Sequence, residues 1–193
     1  MRRLVVLVVV AACGAPLTVV QPVVAVDPER EAQTTARWDN RIRSVARDGD
    51  WILAASTQSE DLSHAAIYDA GHDTVIEAAG AEIREVPLAR MLEVARYVVV
   101  VRPSRMSAAD QQAALDRARR RVGLAIEVGM PVPEDQRGSE LVYWASQTEV
   151  RAGAHEQVLT PGVLVKYGEV IYASAKRGEM TGPPGDPNVP GEM

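Results

Sequence analysis

Between residues 64 and 78 the chain reads His64-Ala65-Ala66-Ile67-Tyr68-Asp69, then Ala70-Gly71-His72-Asp73, then Thr74-Val75-Ile76-Glu77-Ala78. Two short runs of strand-forming residues separated by four turn-forming ones predict a β-hairpin. A hairpin commits this part of the chain to antiparallel pairing, since its strands run in opposite directions by construction. Trp51-Ile52-Leu53-Ala54-Ala55 predicts a further strand, and the continuously apolar run Tyr97 to Val101 a fourth, central one. The expectation is an α+β domain with a central, mainly antiparallel sheet packed against helices. Phe is absent, so Val, Ile, Leu, Trp and Tyr must fill its core.

Helices are expected around this sheet. Ser107-Ala108-Ala109-Asp110 has the form of a capping box with Asp in place of Glu. The apolar residues Ala114, Leu115, Ala118 and Val122 then recur at helical spacing, predicting a helix that ends at Gly123. A second helix is predicted from Ser139 to Val150, with Leu164-Val165 and Val170-Ile171-Tyr172 as short edge strands. Residues 27–47 read as a polar lead-in helix or linker before the Asp48-Gly49-Asp50 turn signal, and 48–176 as the single domain. The Gly/Pro-rich stretch 177–193 has no apolar period and is expected to be disordered. There is no internal repeat.

The first 25 residues predict a targeting segment. Arg2-Arg3 precede the apolar run Leu4 to Ala12, which is too short for a membrane span. Two processing routes compete: Val10-Ala11-Ala12-Cys13 is similar to a lipoprotein box, while Val23-Val24-Ala25 offers an ordinary signal-peptidase site. Cys13, the only cysteine, is the lipidation candidate, and no disulfide can form within the remaining domain. The protein is therefore expected to be exported: periplasmic, extracellular or lipid-anchored. Removing Arg2 and Arg3 takes the 21 basic and 26 acidic residues to 19 and 26, so the formal charge goes from -5 to -7. An acidic domain argues against nucleic acid as a partner and leaves the membrane reachable only through a lipid anchor.

Six segments in order carry a family resemblance: Gly49-Asp50-Trp51-Ile52-Leu53, Ser63-His64-Ala65-Ala66-Ile67-Tyr68, Val75-Ile76-Glu77-Ala78, Val101-Arg102-Pro103, Gly138-Ser139-Glu140-Leu141-Val142-Tyr143 and Leu159-Thr160-Pro161. Together, over roughly residues 48 to 173, they resemble the circularly permuted papain-like amidases and peptidases related to the NlpC-type cell-wall hydrolases. The resemblance implies that His64 takes the place of the base, Glu77 that of the group orienting its ring, and residue 138 that of the nucleophile. In such enzymes a thiol becomes nucleophilic as thiolate, generated by an imidazole and a helix N-terminus, and the third group fixes the histidine's tautomer.

At position 138 the family has cysteine, and this chain has glycine. Gly138 carries nothing that can attack a carbonyl, and Cys13 lies in the targeting segment. Ser139 is the nearest hydroxyl, but one residue along a helix turns a side chain by about 100°, and a first-turn role suits it as well. A second departure is Gly123-Leu124-Ala125-Ile126-Glu127, where the family has a cleft-lining aromatic. Two functions follow as expectations. The first is a catalytically inactive relative that binds an acyl, peptide or other cell-envelope ligand in the relict cleft. The second is a hydrolase of amide or ester bonds using Ser139 or a water activated by His64.

Taken singly, His64, Glu77 and Glu140 also fit structural roles, as a half-buried histidine, a solvated strand carboxylate and an anion at a helix N-terminus. His72 and His155 read as turn and loop residues. No cofactor is expected: the three histidines have no zinc-ligand spacing, and Gly123, Gly129 and Gly138 are followed by no Gly-Lys-Ser/Thr.

Overall fold

The computed structural model describes residues 27–125, 134–146 and 159–178. Helix α1 (Pro28–Val45) opens with Asp27, whose side chain accepts from the Glu29 and Arg30 amides, and with Pro28 in the first turn. That is a standard helix start: a carboxylate satisfies free N–H groups, and proline has none to satisfy. Strands β1 (Trp51–Ser56), β2 (His64–Asp69), β3 (Thr74–Ala79) and β4 (Glu82–Pro87) follow, then helix α2 (Leu88–Glu93) and strand β5 (Ala95–Pro103). Helices α3 (Ala108–Arg119), α4 (Glu134–Ser146) and α5 (Pro161–Leu164), a 3-10 turn (Val165–Tyr167) and strand β6 (Gly168–Ala173) complete the order.

The six strands form one antiparallel sheet in the order β4-β3-β2-β1-β5-β6. The predicted hairpin is its β2–β3 pair, closed with Asp69 opposite Thr74 and with Asp73 at φ 58° in the turn. Asp accepts that left-handed conformation more readily than most residues.

Both faces of the sheet are covered. Along β2, Ala66 and Tyr68 join Trp38 and Ile42 of α1 and Leu88, Met91 and Leu92 of α2 in one apolar cluster. Ala65 and Ile67 point the other way, to Leu115 and Ala118 of α3 and Leu141, Val142 and Ala145 of α4. This is the two-residue alternation of a strand buried on both sides. The apolar run at 97–101 is likewise covered on both faces but lies one strand in from the edge, between β1 and β6.

Several expectations are corrected. Residues 27–47 take the helix alternative rather than the linker, and α1 belongs to the core: its Trp38 and Ile42 are fully buried. The capping box at Ser107 and Asp110 forms as expected, but α3 stops at Arg119 rather than Gly123. The chain turns there to pair with β4, Gly123 N donating to Ile83 O and Ile83 N to Leu124 O, which leaves Val122 exposed. Helix α4 begins at Glu134, five residues before Ser139; its expected end at Val150 lies outside the described residues. Leu164-Val165 is no strand: Pro161 starts a helical turn that buries Leu164. Strand β6 is an edge strand as expected. Of the expected tail, Arg177 is held fast. It donates to Ala95 O, Leu92 O, Thr35 Oγ1 and Glu31 Oε2 and lies 4.7 Å over the Trp38 ring. Residues 179–193 of the tail, the targeting segment with Cys13, His155, and Ile126 with Glu127 lie outside the described residues.

Candidate functional site

His64 opens β2, and Glu77 sits on β3 directly opposite Ala66. The diagonal step across the pair brings the imidazole to the carboxylate, because same-face neighbours on adjacent strands lie within side-chain reach. His64 Nε2 and Glu77 Oε2 are 2.5 Å apart. On the far side Arg84 of β4 is the direct partner of Glu77. Its Nε donates to Glu77 Oε1 at 2.7 Å, and another guanidinium nitrogen lies 2.6 Å from the same oxygen. The sequence reading did not single out Arg84. Its only signal there is the arginine of an Arg84-Glu85 pair in a polar stretch, which acquires meaning once β4 is known to pair with β3.

Burial pushes the Glu77 carboxyl up, but the hydrogen bonds and charges of His64 and Arg84 outweigh it and hold it below the usual carboxylate range. Only 4% of the Glu77 side chain is exposed, against 33% for His64 and 50% for Arg84. The chain of three thus runs from a buried carboxylate out to two accessible ends. His64 Nδ1 has no hydrogen-bond partner among the described residues.

The three side chains line a cleft of about 500 Å³. Ser56, Thr57, Gln58 and Ser63 supply its polar end, and Val86, Met91, Val94 and Ala95 its apolar wall. Val94 is 62% exposed, an open apolar surface in that wall.

Gly138 is buried on α4 against the backbone of Ala65, the residue next to His64. A Cβ at that position would stand 2.5 Å from the Ala65 carbonyl oxygen and 3.2 Å from its nitrogen. No real side chain tolerates such a contact with backbone, so the glycine is what lets helix and strand approach. Neither Gly138 nor Ser139 lines the cleft of His64 and Glu77. The reason is strand alternation: α4 packs on the face that carries Ala65 and Ile67, while His64 follows Ala66 and Tyr68 to the other. The expected convergence of His64, Glu77 and residues 138–139 on one cleft is therefore met only between His64 and Glu77. The expected helix N-terminus at Gly138 and Ser139 is also absent, both residues lying beyond the first turn of α4.

Ser139 is fully buried, and its hydroxyl has no partner among the described residues. A hydroxyl shut away from solvent and unconnected to a base cannot be activated as a nucleophile. Glu140 lies in the middle of α4, beside a second cleft of about 360 Å³ with Arg121, Arg137 and Trp144; burial pushes its carboxyl up.

His72 lies in the hairpin turn as expected. Its Nδ1 is 3.0 Å from Asp69 Oδ2. Asp69, His72 and Glu85 offer ligand atoms within 4.8 Å of one another, but Arg119 already donates to Asp69 and stands 3.0 Å from His72 Nδ1. The guanidinium supplies the positive charge a metal ion would bring. Burial pushes the Asp69 carboxyl up, and the bonds from Arg119 and His72 outweigh it, leaving it below the usual range.

No family model, curated protein or solved structure matches the chain.

Proposed function

We propose that this protein is an exported, catalytically inactive relative of the permuted papain-like amidases, and that it binds an acyl, peptide or other cell-envelope ligand in the cleft lined by His64, Glu77 and Arg84. One observation carries the reading. The paired His64 and Glu77 stand intact beside an accessible cleft, while position 138, which the resemblance aligns with the nucleophile, is a glycine packed against Ala65 outside that cleft, with no room for a side chain. The antiparallel sheet with helices on both faces is compatible with the permuted papain-like fold, and the ordered motifs of the sequence support it. Fold elements outlast the chemistry they once served, since strand pairing and helix docking do not depend on a thiol.

The alternative is hydrolysis through Ser139 or a water activated by His64, and the burial of Ser139 counts against the first of these routes. Labelling of the purified protein with a fluorophosphonate probe tests that route. The expected result is no serine adduct; an adduct on Ser139 or on a cleft hydroxyl overturns the inactive reading. Export is tested by fractionation of the native protein and of Cys13→Ala. The protein is expected outside the cytoplasm in both, and membrane association lost in Cys13→Ala marks a lipid anchor.

A further inference from the structure

Arg177 fixes the chain at one rim of the His64 cleft. Its side chain donates to Ala95 O and Leu92 O, and its amide to Arg96 O, while Val94 and Ala95 are themselves cleft wall. Gly178 follows at φ 92°, a left-handed turn that glycine adopts without strain. Residues 179–193 therefore depart from the edge of the cleft. At that edge Val94 is 62% exposed, the barest large apolar side chain among the described residues.

We propose that residues 179–193 lie along this cleft as an intramolecular strap, which any ligand must displace. The contact goes beyond the proposed function and holds whether the cleft binds or cleaves. Length, apolar cover and charge all favour this occupant. The cleft wall steps from Ala95 on β5 through Ser56, His64 and Glu77 to Arg84 on β4, four strand spacings or about 19 Å. An extended chain advances about 3.1 Å per residue, so about six residues cross it, and Asp186, eight residues past Gly178, comes within reach of Arg84. Prolines at 183, 184, 187 and 190 favour that extended form.

Met180 comes two residues after Gly178, where its flexible thioether side chain covers Val94. The segment carries Glu179, Asp186 and Glu192 and no basic residue. The far end of the cleft holds Arg84 and Arg90, with 50% and 73% of their side chains exposed. Each already has an acidic partner, but a guanidinium has five N–H donors. Arg84 turns Nε and one other nitrogen to Glu77, and Arg90 one nitrogen to Glu93, which leaves donors on both for a second carboxylate.

The test places a nitroxide on the single thiol of the 15N-labelled full chain carrying Cys13→Ala and Gly185→Cys, and reads paramagnetic broadening of backbone amides against the reduced label. Broadening is expected at His64, Glu77 and Arg84. It is expected to be lost when Val94→Glu is added, because a like charge then stands in the path of the strap, on a side chain too exposed for folding to depend on it. A mixture of nitroxide-bearing chain at natural isotope abundance with unmodified 15N chain is expected to show none. Four outcomes overturn the proposal: broadening that only fades outward from Gly178, broadening centred on Leu124 and Trp144 of the second cleft, broadening in the mixed sample, which marks the tail of a second copy, and broadening that survives Val94→Glu.

Discussion

Gly138 is the residue whose physics decides most about this molecule. A methyl group added there meets a backbone carbonyl at 2.5 Å, and a carbonyl within a strand cannot rotate aside as a side chain could. Alanine would gain up to about 1 kcal/mol of helix propensity over glycine, but overpacking of this kind costs about 1–3 kcal/mol. We expect Gly138→Ala to lower the Tm by several degrees and Gly138→Cys to do the same without acquiring hydrolytic activity. Thermal unfolding and an amide-hydrolysis assay check this, and a Cys variant of native stability would show that the position has room. The expectation that residue 138 takes the nucleophile's place beside His64 is corrected by its position outside that cleft. The motif order suggested the position, but no sequence pattern reports how close a helix comes to a strand.

The buried acids Glu77 and Asp69 belong to the same scale. Both carboxyls titrate below the usual carboxylate range in the folded protein. A depressed carboxyl contributes stability that is present above the unfolded value, about 4, and is lost as pH falls through the folded one. Melting curves should therefore show the Tm falling steeply in acid, and Glu77→Gln should flatten that limb while costing about 1–3 kcal/mol near neutrality. An acid limb unchanged in both Glu77→Gln and Asp69→Asn would contradict this account. His64 and Glu77 were legible as neighbours from the hairpin alone, because register follows from turn length. Arg84 was not, since its strand carries little apolar alternation to reveal it.

At the scale of elements, α1 shows how a polar composition can hide a core helix. Its sequence reads as a lead-in because only a narrow stripe is apolar, yet Trp38 and Ile42 on that stripe are fully buried. Arg177, 132 or more positions away in sequence from every residue of α1, ties back to it through Glu31 and Thr35. Trp38→Ala is expected to cost about 3–5 kcal/mol, the usual range for a buried aromatic, read by denaturant unfolding. A cost under about 1 kcal/mol would mean that α1 is peripheral, as the sequence suggested. Helix α3 was legible at its start, where the capping box is a local signal. Its end was not, because pairing of Gly123 to Ala125 with β4 is a tertiary event. Leu164-Val165 was misread as a strand since so short an apolar stretch carries no period that separates strand from helical turn.

For the molecule as a whole, one antiparallel sheet with α1 and α2 on one face and α3 and α4 on the other keeps the His64 cleft and the Gly138 contact apart. The fold class and the sheet's core strands were readable because hairpin spacing and apolar runs are local. Which face each motif residue takes depends on strand alternation combined with helix docking, and that combination appears only in three dimensions. Among the described residues no helix is long and apolar enough to cross a membrane. The central claim, a cleft that binds without cleaving, is tested most directly by comparing hydrolysis of a panel of aliphatic amides and esters by the purified wild-type protein and by His64→Ala. A working general base contributes typically 10²–10⁴-fold to a rate. Equal, background rates for the two proteins are expected; a wild-type rate about a hundredfold or more above that of His64→Ala would contradict the account.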